Sequence, residues 1–189
     1  AAAAAADELP QLPPVASGLG EAELPAESLS VLGIGLQLVS RGLNAVDPGR
    51  LRPWLLQLLP HLFRMQELRG PQLQKLALES TMALAQLKHL PLRPCDVEAV
   101  VAAVSAATDS HVWSARASGL LFAQYFWFRR CFLLQGPQLS ALQAAVVGRL
   151  EDTKAEVRMA AAATLAGMVK GMPDMDAHAL RVQTVNSAR

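Results

Sequence analysis

From about residue 27 onward, leucine, valine and alanine recur at spacings of three and four, the period of an amphipathic helix. Strict alternation of apolar and polar residues is rare and β-branched residues are few, so no strand pattern competes. The first predicted helix, about 27–44, carries Leu29, Leu32, Leu36 and Val39 on one face, weakened by Gly33 and Gly35. Asp47-Pro48-Gly49 reads as a turn. A second helix, Pro53 to about Leu68, presents Trp54, Leu55, Leu58, Leu59 and Leu62, with Pro60 expected to kink it. The third, about 71–89, uses Leu73, Leu76, Leu84 and Leu87, and the fourth, about 94–107, uses Val97, Val100, Val101 and Val104. The fifth starts after Asp109 or Ser110 and runs to about Leu134, with Val112, Trp113, Ala117, Leu120, Leu121, Phe128 and Phe132 as its apolar stripe. Gln135-Gly136-Pro137 separates it from a sixth, about 137–150, with Leu139, Leu142, Val146 and Leu150. The seventh, about 153–170, opens with Thr153 and Glu156 at capping-box spacing and aligns Val157, Ala161, Leu165 and Met168. A short eighth, about 174–187, has a weaker stripe.

The punctuation repeats. Pro53, Pro94 and Pro137 each fall where a first helix opens, 41 and 43 residues apart. Lys75, Arg116 and Arg158 each fall early in a second helix, 41 and 42 apart. Periods of this size mean stacked helical hairpins. The fold class is therefore all-α, an α-solenoid of seven to eight helices over 27–189, preceded by an Ala/Pro-rich linker, 1–26, that lacks hydrophobic periodicity and reads as disordered. The stretch from Leu150 to Leu165, with its Asp…Glu-Val-Arg-x-Ala-Ala…Leu order, resembles the second helix of a HEAT repeat. On that pattern Asp109, Trp113, Arg116, Asp152, Glu156, Val157 and Arg158 form the structural repeat signature, and an Asp152–Arg158 contact between turn and helix is expected.

Composition narrows this further. The chain is 52% apolar but only 5% aromatic, and its mean hydropathy is +0.25. No clean apolar run reaches membrane-spanning length, because Gln124, Arg129 and Arg130 interrupt the richest stretch. The first thirty residues hold Asp7, Glu8, Glu21, Glu23 and Glu27 and no Lys or Arg, so the other 11 acidic residues face all 17 basic ones. That mild excess is far from the density of a nucleic-acid binder, so no DNA is expected. Cys95 and Cys131 have no metal spacing and read as buried thiols in a reducing compartment. Without an initiator Met or a leader pattern, the chain reads as part of a longer polypeptide.

Three blocks are more specific than a generic helical repeat: Ser110-His111-Val112-Trp113-Ser114-Ala115-Arg116, Tyr125-Phe126-Trp127-Phe128, and Leu150-Glu151-Asp152 followed by Glu156-Val157-Arg158-Met159-Ala160-Ala161. In this order they resemble the C-terminal part of the large single-chain HEAT-repeat proteasome activator family, most densely over 110–171. The resemblance implies a solenoid segment of an ATP-independent activator that binds the 20S core particle and promotes peptide hydrolysis. It also implies a link to acetylated histones and pools in nucleus and cytoplasm. The alternative is a HEAT-repeat adaptor for transport or chromatin assembly; an enzyme's regulatory subunit stands third.

No constellation in the chain carries catalysis. His61, His89, His111 and His178 lie far apart in sequence, and no nucleophile elbow, phosphate loop or metal-ligand set is present. The chain is read as a non-enzyme with no cofactor and no metal. Tyr125, Trp127, Arg129 and Arg130 are the candidates for partner contact: rings all round a helix must bury more than one face, and the two cations follow them directly. In the resembled family the gate of the core particle is opened by a C-terminal hydrophobic-Tyr-x anchor, whereas this chain ends Asn186-Ser187-Ala188-Arg189. Added in excess to latent 20S core, the chain alone is expected to leave fluorogenic peptide hydrolysis unchanged; several-fold stimulation would contradict the anchor argument.

Overall fold

The computed structural model describes residues 33–37, 39, 41, 48–67 and 71–171; the linker and the eighth helix expected from sequence lie outside them. Every regular element among the described residues is helical. After a helical stretch at 33–37 come α1 (Pro48–Met65), α2 (Pro71–Leu87), α3 (Val97–Thr108), α4 (Trp113–Arg130), α5 (Gly136–Val147) and α6 (Ala155–Lys170). A 3-10 turn, Pro94–Asp96, leads into α3, and another, Cys131–Leu133, follows α4.

The helix starts obey local chemistry. Pro48 occupies the first position of α1, where its missing N–H costs nothing. Asp47 lies outside the described residues, Pro48 and Gly49 belong to the first turn of α1, and Pro53 lies inside α1 instead of opening it. Pro53 and Pro60 each remove one helical hydrogen bond. Burial of Leu55, Leu59, Leu62 and Phe63 on one side of α1 offsets that loss. Before α3, the Arg93 backbone N–H donates to Asp96 Oδ2 at 2.7 Å; before α5, the Gln135 N–H donates to Gln138 Oε1 at 3.1 Å. Both bonds close the entry reciprocally, as a capping box does.

Consecutive helices pair as α1–α2, α3–α4 and α5–α6. The first helices of the pairs, α1, α3 and α5, pack side by side in one layer, and in the other layer α4 runs along α6 in the broadest contact of the molecule. The result is an all-α, solenoid-like stack. Its core runs between the layers through Leu62, Val97, Val100, Val104, Leu120, Leu142, Val146, Val157 and Met168. Phe63 of α1 meets Phe122 of α4 edge-on, centroids 5.6 Å apart, which joins the first pair to the second.

Two readings of the sequence need correction. Cys95 is exposed on its 3-10 turn, not buried. In α4 and the 3-10 turn after it, the large residues Trp113, Leu121, Phe128 and Phe132, placed on the apolar stripe, face solvent. The buried face is Ala115, Arg116, Gly119, Leu120, Phe122, Ala123, Phe126 and Trp127. Its small residues let α3 approach: a Cβ at Gly119 would lie 3.0 Å from the Cβ of Ala107 and 3.3 Å from Thr108 Cγ2. Close approach selected the buried side, which residue size alone does not reveal.

Gly119→Val is therefore expected to destabilise the fold by about 1–3 kcal/mol through overpacking. Gly167→Ala, whose added Cβ meets nothing within 4 Å in an exposed turn of α6, is expected to stabilise it by about 0.5–1 kcal/mol. Urea unfolding of the two variants checks both signs.

Candidate interaction surface

The short turns ahead of α4 and α6 are built alike. Ser110 Oγ accepts from the Val112 N–H at 3.1 Å, and Asp152 Oδ1 accepts from the Lys154 N–H at 2.9 Å. Each side chain thus caps the backbone two residues on, and the helix begins one residue later. Four residues after each entry, an arginine folds back over the turn. Arg116 Nη1 donates to the carbonyls of Ser110 and His111 at 2.9 and 3.0 Å. Arg158 Nη1 donates to those of Asp152 and Thr153 at 2.7 and 3.2 Å. The offsets are the same, six and five residues back. The expected Thr153–Glu156 capping box does not form: Lys154 is the N-cap, without a side-chain cap bond, and Asp152 takes that place. Glu156 is exposed in the first turn of α6, and Val157 beside it is buried.

Between pairs, Arg116 turns its other edge to the next turn. Its Nε and Nη2 donate to Asp152 Oδ2 and Oδ1 at 2.7 and 2.8 Å. The side chains are 10% and 3% exposed, so the bidentate pair is largely desolvated. The Arg116 guanidinium holds the Asp152 carboxyl below its ordinary value, against burial, which pushes the other way, with further help from the Lys154 N–H. Arg158 touches the Asp152 carbonyl, not its carboxylate. Asp109 pairs with Arg149 at 3.1 Å in a more exposed contact, and Trp113 is partly exposed at the start of α4. Between the first and second pairs, Arg52 Nε lies 3.3 Å from Asp96 Oδ2, an ion pair without aligned hydrogen-bond geometry.

Residues outside the expected repeat signature complete the joints. Gln66 is buried; its Nε2 donates to the Ala77 carbonyl and bonds Ser80 Oγ, while its own carbonyl accepts from Ser114 Oγ at 2.6 Å. Ser110 Oγ also bonds Glu67. Thr164 Oγ1 reaches the Leu120 carbonyl at 3.1 Å. The one available signal for Thr164 is a hydroxyl in the otherwise alanine-rich face of α6. The bonds from one pair to the next, Ser114 to Gln66, Arg116 to Asp152 and Thr164 to Leu120, span 36 to 48 residues, about one helical pair each.

The four aromatic and basic candidates separate. Trp127 is buried, and a Cβ at Gly171 would lie 3.1 Å from its Nε1. Tyr125 is half-buried; its hydroxyl is 3.1 Å from His89 Nδ1. Lys88 Nζ and the Arg129 guanidinium carbon lie 5.5 and 5.7 Å from its ring centre. Arg130 reaches the Leu90 carbonyl at 3.5 Å. Among the described residues no three His, Cys, Asp or Glu gather as a metal site, and no helix is long and apolar enough to cross a membrane. This geometry offers joints and an exposed face.

The chain is similar to proteins named as proteasome activators. It is 28% identical over 159 residues to proteasome activator complex subunit 4B of Danio rerio, a match covering 82% of this chain and 8% of that protein. It is 27% identical over 110 residues to proteasome activator subunit 4 of Arabidopsis thaliana, 58% of this chain and 6% of that one. The chain therefore spans less than a tenth of the length of these relatives. No family model matches, and no solved structure does.

Asp152→Asn is expected to cost about 2–4 kcal/mol at neutral pH, because it leaves Arg116 buried without its counter-charge. A carboxylate whose folded pKa is lowered contributes stability above its unfolded value and loses it as pH falls toward the folded one. The difference between the parent chain and the variant should hold steady from neutrality down to about pH 5 and shrink below about pH 4. Urea melts across that range test it.

Proposed function

We propose that this chain is a non-enzymatic scaffold segment, made of HEAT-type helical hairpins, of a proteasome activator. In this reading the whole protein binds the 20S core particle in nucleus and cytoplasm, promotes peptide hydrolysis without ATP, and takes part in the breakdown of acetylated histones. The observation that carries the reading is the similarity to two proteins named as proteasome activator subunits, one of them matched over 82% of the chain. The stack of helical pairs supports it. Joints that recur from pair to pair suit an element that holds shape and spacing, and a desolvated arginine–carboxylate pair suits rigidity rather than turnover.

A graft tests the scaffold role. The aligned stretch of the Danio rerio protein is replaced by this chain, and the chimaera is assayed for co-sedimentation with purified 20S core and for stimulation of fluorogenic peptide hydrolysis. Both activities should persist. A chimaera that is folded by circular dichroism yet fails to co-sediment would sink the proposal.

A further inference from the structure

Charge is distributed along this chain in two opposed blocks. Between Asp109 and Glu151 there are four arginines and no acidic residue, while the first thirty residues hold five acidic side chains and no basic one. The structure gathers part of the basic block at one place. At the C-terminal end of α4, Arg129 and Lys88 flank the Tyr125 ring, and Arg130 and His89 lie beside it. Neither Lys88 nor Arg129 has a carboxylate within ion-pair distance among the described residues. From Ser80 through Cys95, and along all of α4 and α5, no Asp or Glu is available to supply one.

Beside these cations runs an apolar stripe. Leu121, Tyr125, Phe128 and Phe132 follow one another at spacings of four, three and four, on one side of α4 and its 3-10 extension. Leu121 is 49% exposed, Phe128 81% and Phe132 74%. Two phenylalanines this bare, next to a partly exposed tyrosine, are an unfavourable surface unless something covers them. A cover must present apolar side chains to the stripe and carboxylates to the cluster.

We propose that the acidic, leucine-bearing segment of this chain between Asp7 and Glu27 docks on this face. The segment interleaves the two required chemistries: Asp7-Glu8-Leu9, then Leu19, Glu21, Glu23-Leu24 and Glu27. The tether is long enough. Gln37 Nε2 bonds Glu79 Oε1 at 2.9 Å, which fixes the helical stretch at 33–37 beside α2. A Cβ at Gly33 would lie 3.7 Å from Leu76 Cδ2, so the stretch begins beside Leu76, and from there to His89 the chain rises about 20 Å at helical pitch. The ten steps of chain from Gly33 back to Glu23 reach about 33 Å when extended. Glu23 and Glu21 thus come within range of Lys88 and Arg129, and Leu24 and Leu19 within range of the rings. Other occupants fit less well. A second copy would bring Lys88, Arg129 and Arg130 against their own kind, and like charges oppose. A small polyanion would satisfy the cations and leave Phe128 and Phe132 bare. A separate acidic partner must displace a segment held at high effective concentration by its tether.

Hydroxyl-radical footprinting of the full chain tests the docking. Three proteins are compared: the parent, a variant with Asp7→Asn, Glu8→Gln, Glu21→Gln, Glu23→Gln and Glu27→Gln, and a variant with Lys88→Gln and Arg129→Gln. Oxidation of Phe128 and Phe132 should rise about threefold or more in both variants at low salt. Phe63 and Phe122, packed against each other, should stay protected and so report an intact fold. A synthetic peptide of residues 5–27 added to the first variant should restore protection of both phenylalanines. Equal oxidation in all three proteins overturns the proposal. So does protection in the parent that disappears on dilution, which would mean a second copy. Restoration by inorganic tripolyphosphate as complete as by the peptide would also overturn it, since that would mean a simple anion site.

Discussion

Arg116 donates in two directions. One edge of its guanidinium holds two carbonyls of its own turn, and the other holds the Asp152 carboxylate of the next pair. Because the group is planar and rigid, the two sets of bonds fix the turn before α4 relative to the turn before α6. Asp152 is itself committed twice, since the oxygen that receives Arg116 Nη2 also accepts the Lys154 N–H that starts α6. Joining the pairs and starting the helix are thus one event. The apolar core supplies most of the driving force, but burial is non-directional and would tolerate small slips between layers. The arginine pair and the Thr164 bond to Leu120 remove that freedom.

Much of the architecture could be read from periodicity. The helices at α2, α3, α5 and α6 fall within a few residues of their expected bounds, and the valines of α3 are all buried as their spacing required. Proline was a poorer guide. At Pro48, Pro53 and Pro60 the chain shows three prolines in one helix, and only the first obeys the rule that proline opens helices. The apolar stripe of α4 misled for a different reason. A reading weighted by side-chain size favours Leu121, Phe128 and Phe132, whereas the buried side was chosen by how near α3 can come.

The polar joints were legible only as types. Arginines near a common period stand out in the sequence, but their partners do not, because a turn carboxylate and a carbonyl pair are brought together by stacking, not by spacing. Gln66, Ser114 and Thr164 gave still less warning. Each is an ordinary polar residue until a neighbouring pair buries it, and what makes it matter is the cost of leaving it unbonded there.

The two junctions within the second layer are not equally braced. Along α4 and α6 the contact is broad, with Thr164 and Gln124 bonding across it in mid-helix and Trp127 wedged at the end. Between α2 and α4 the recorded bonds gather at the C-terminal ends, around His89, Leu90, Tyr125 and Arg130. Load crosses from the third pair to the second along a whole helix face, but from the second to the first it passes through α1, at Phe63–Phe122 and Gln66–Ser114, and through the Tyr125 corner.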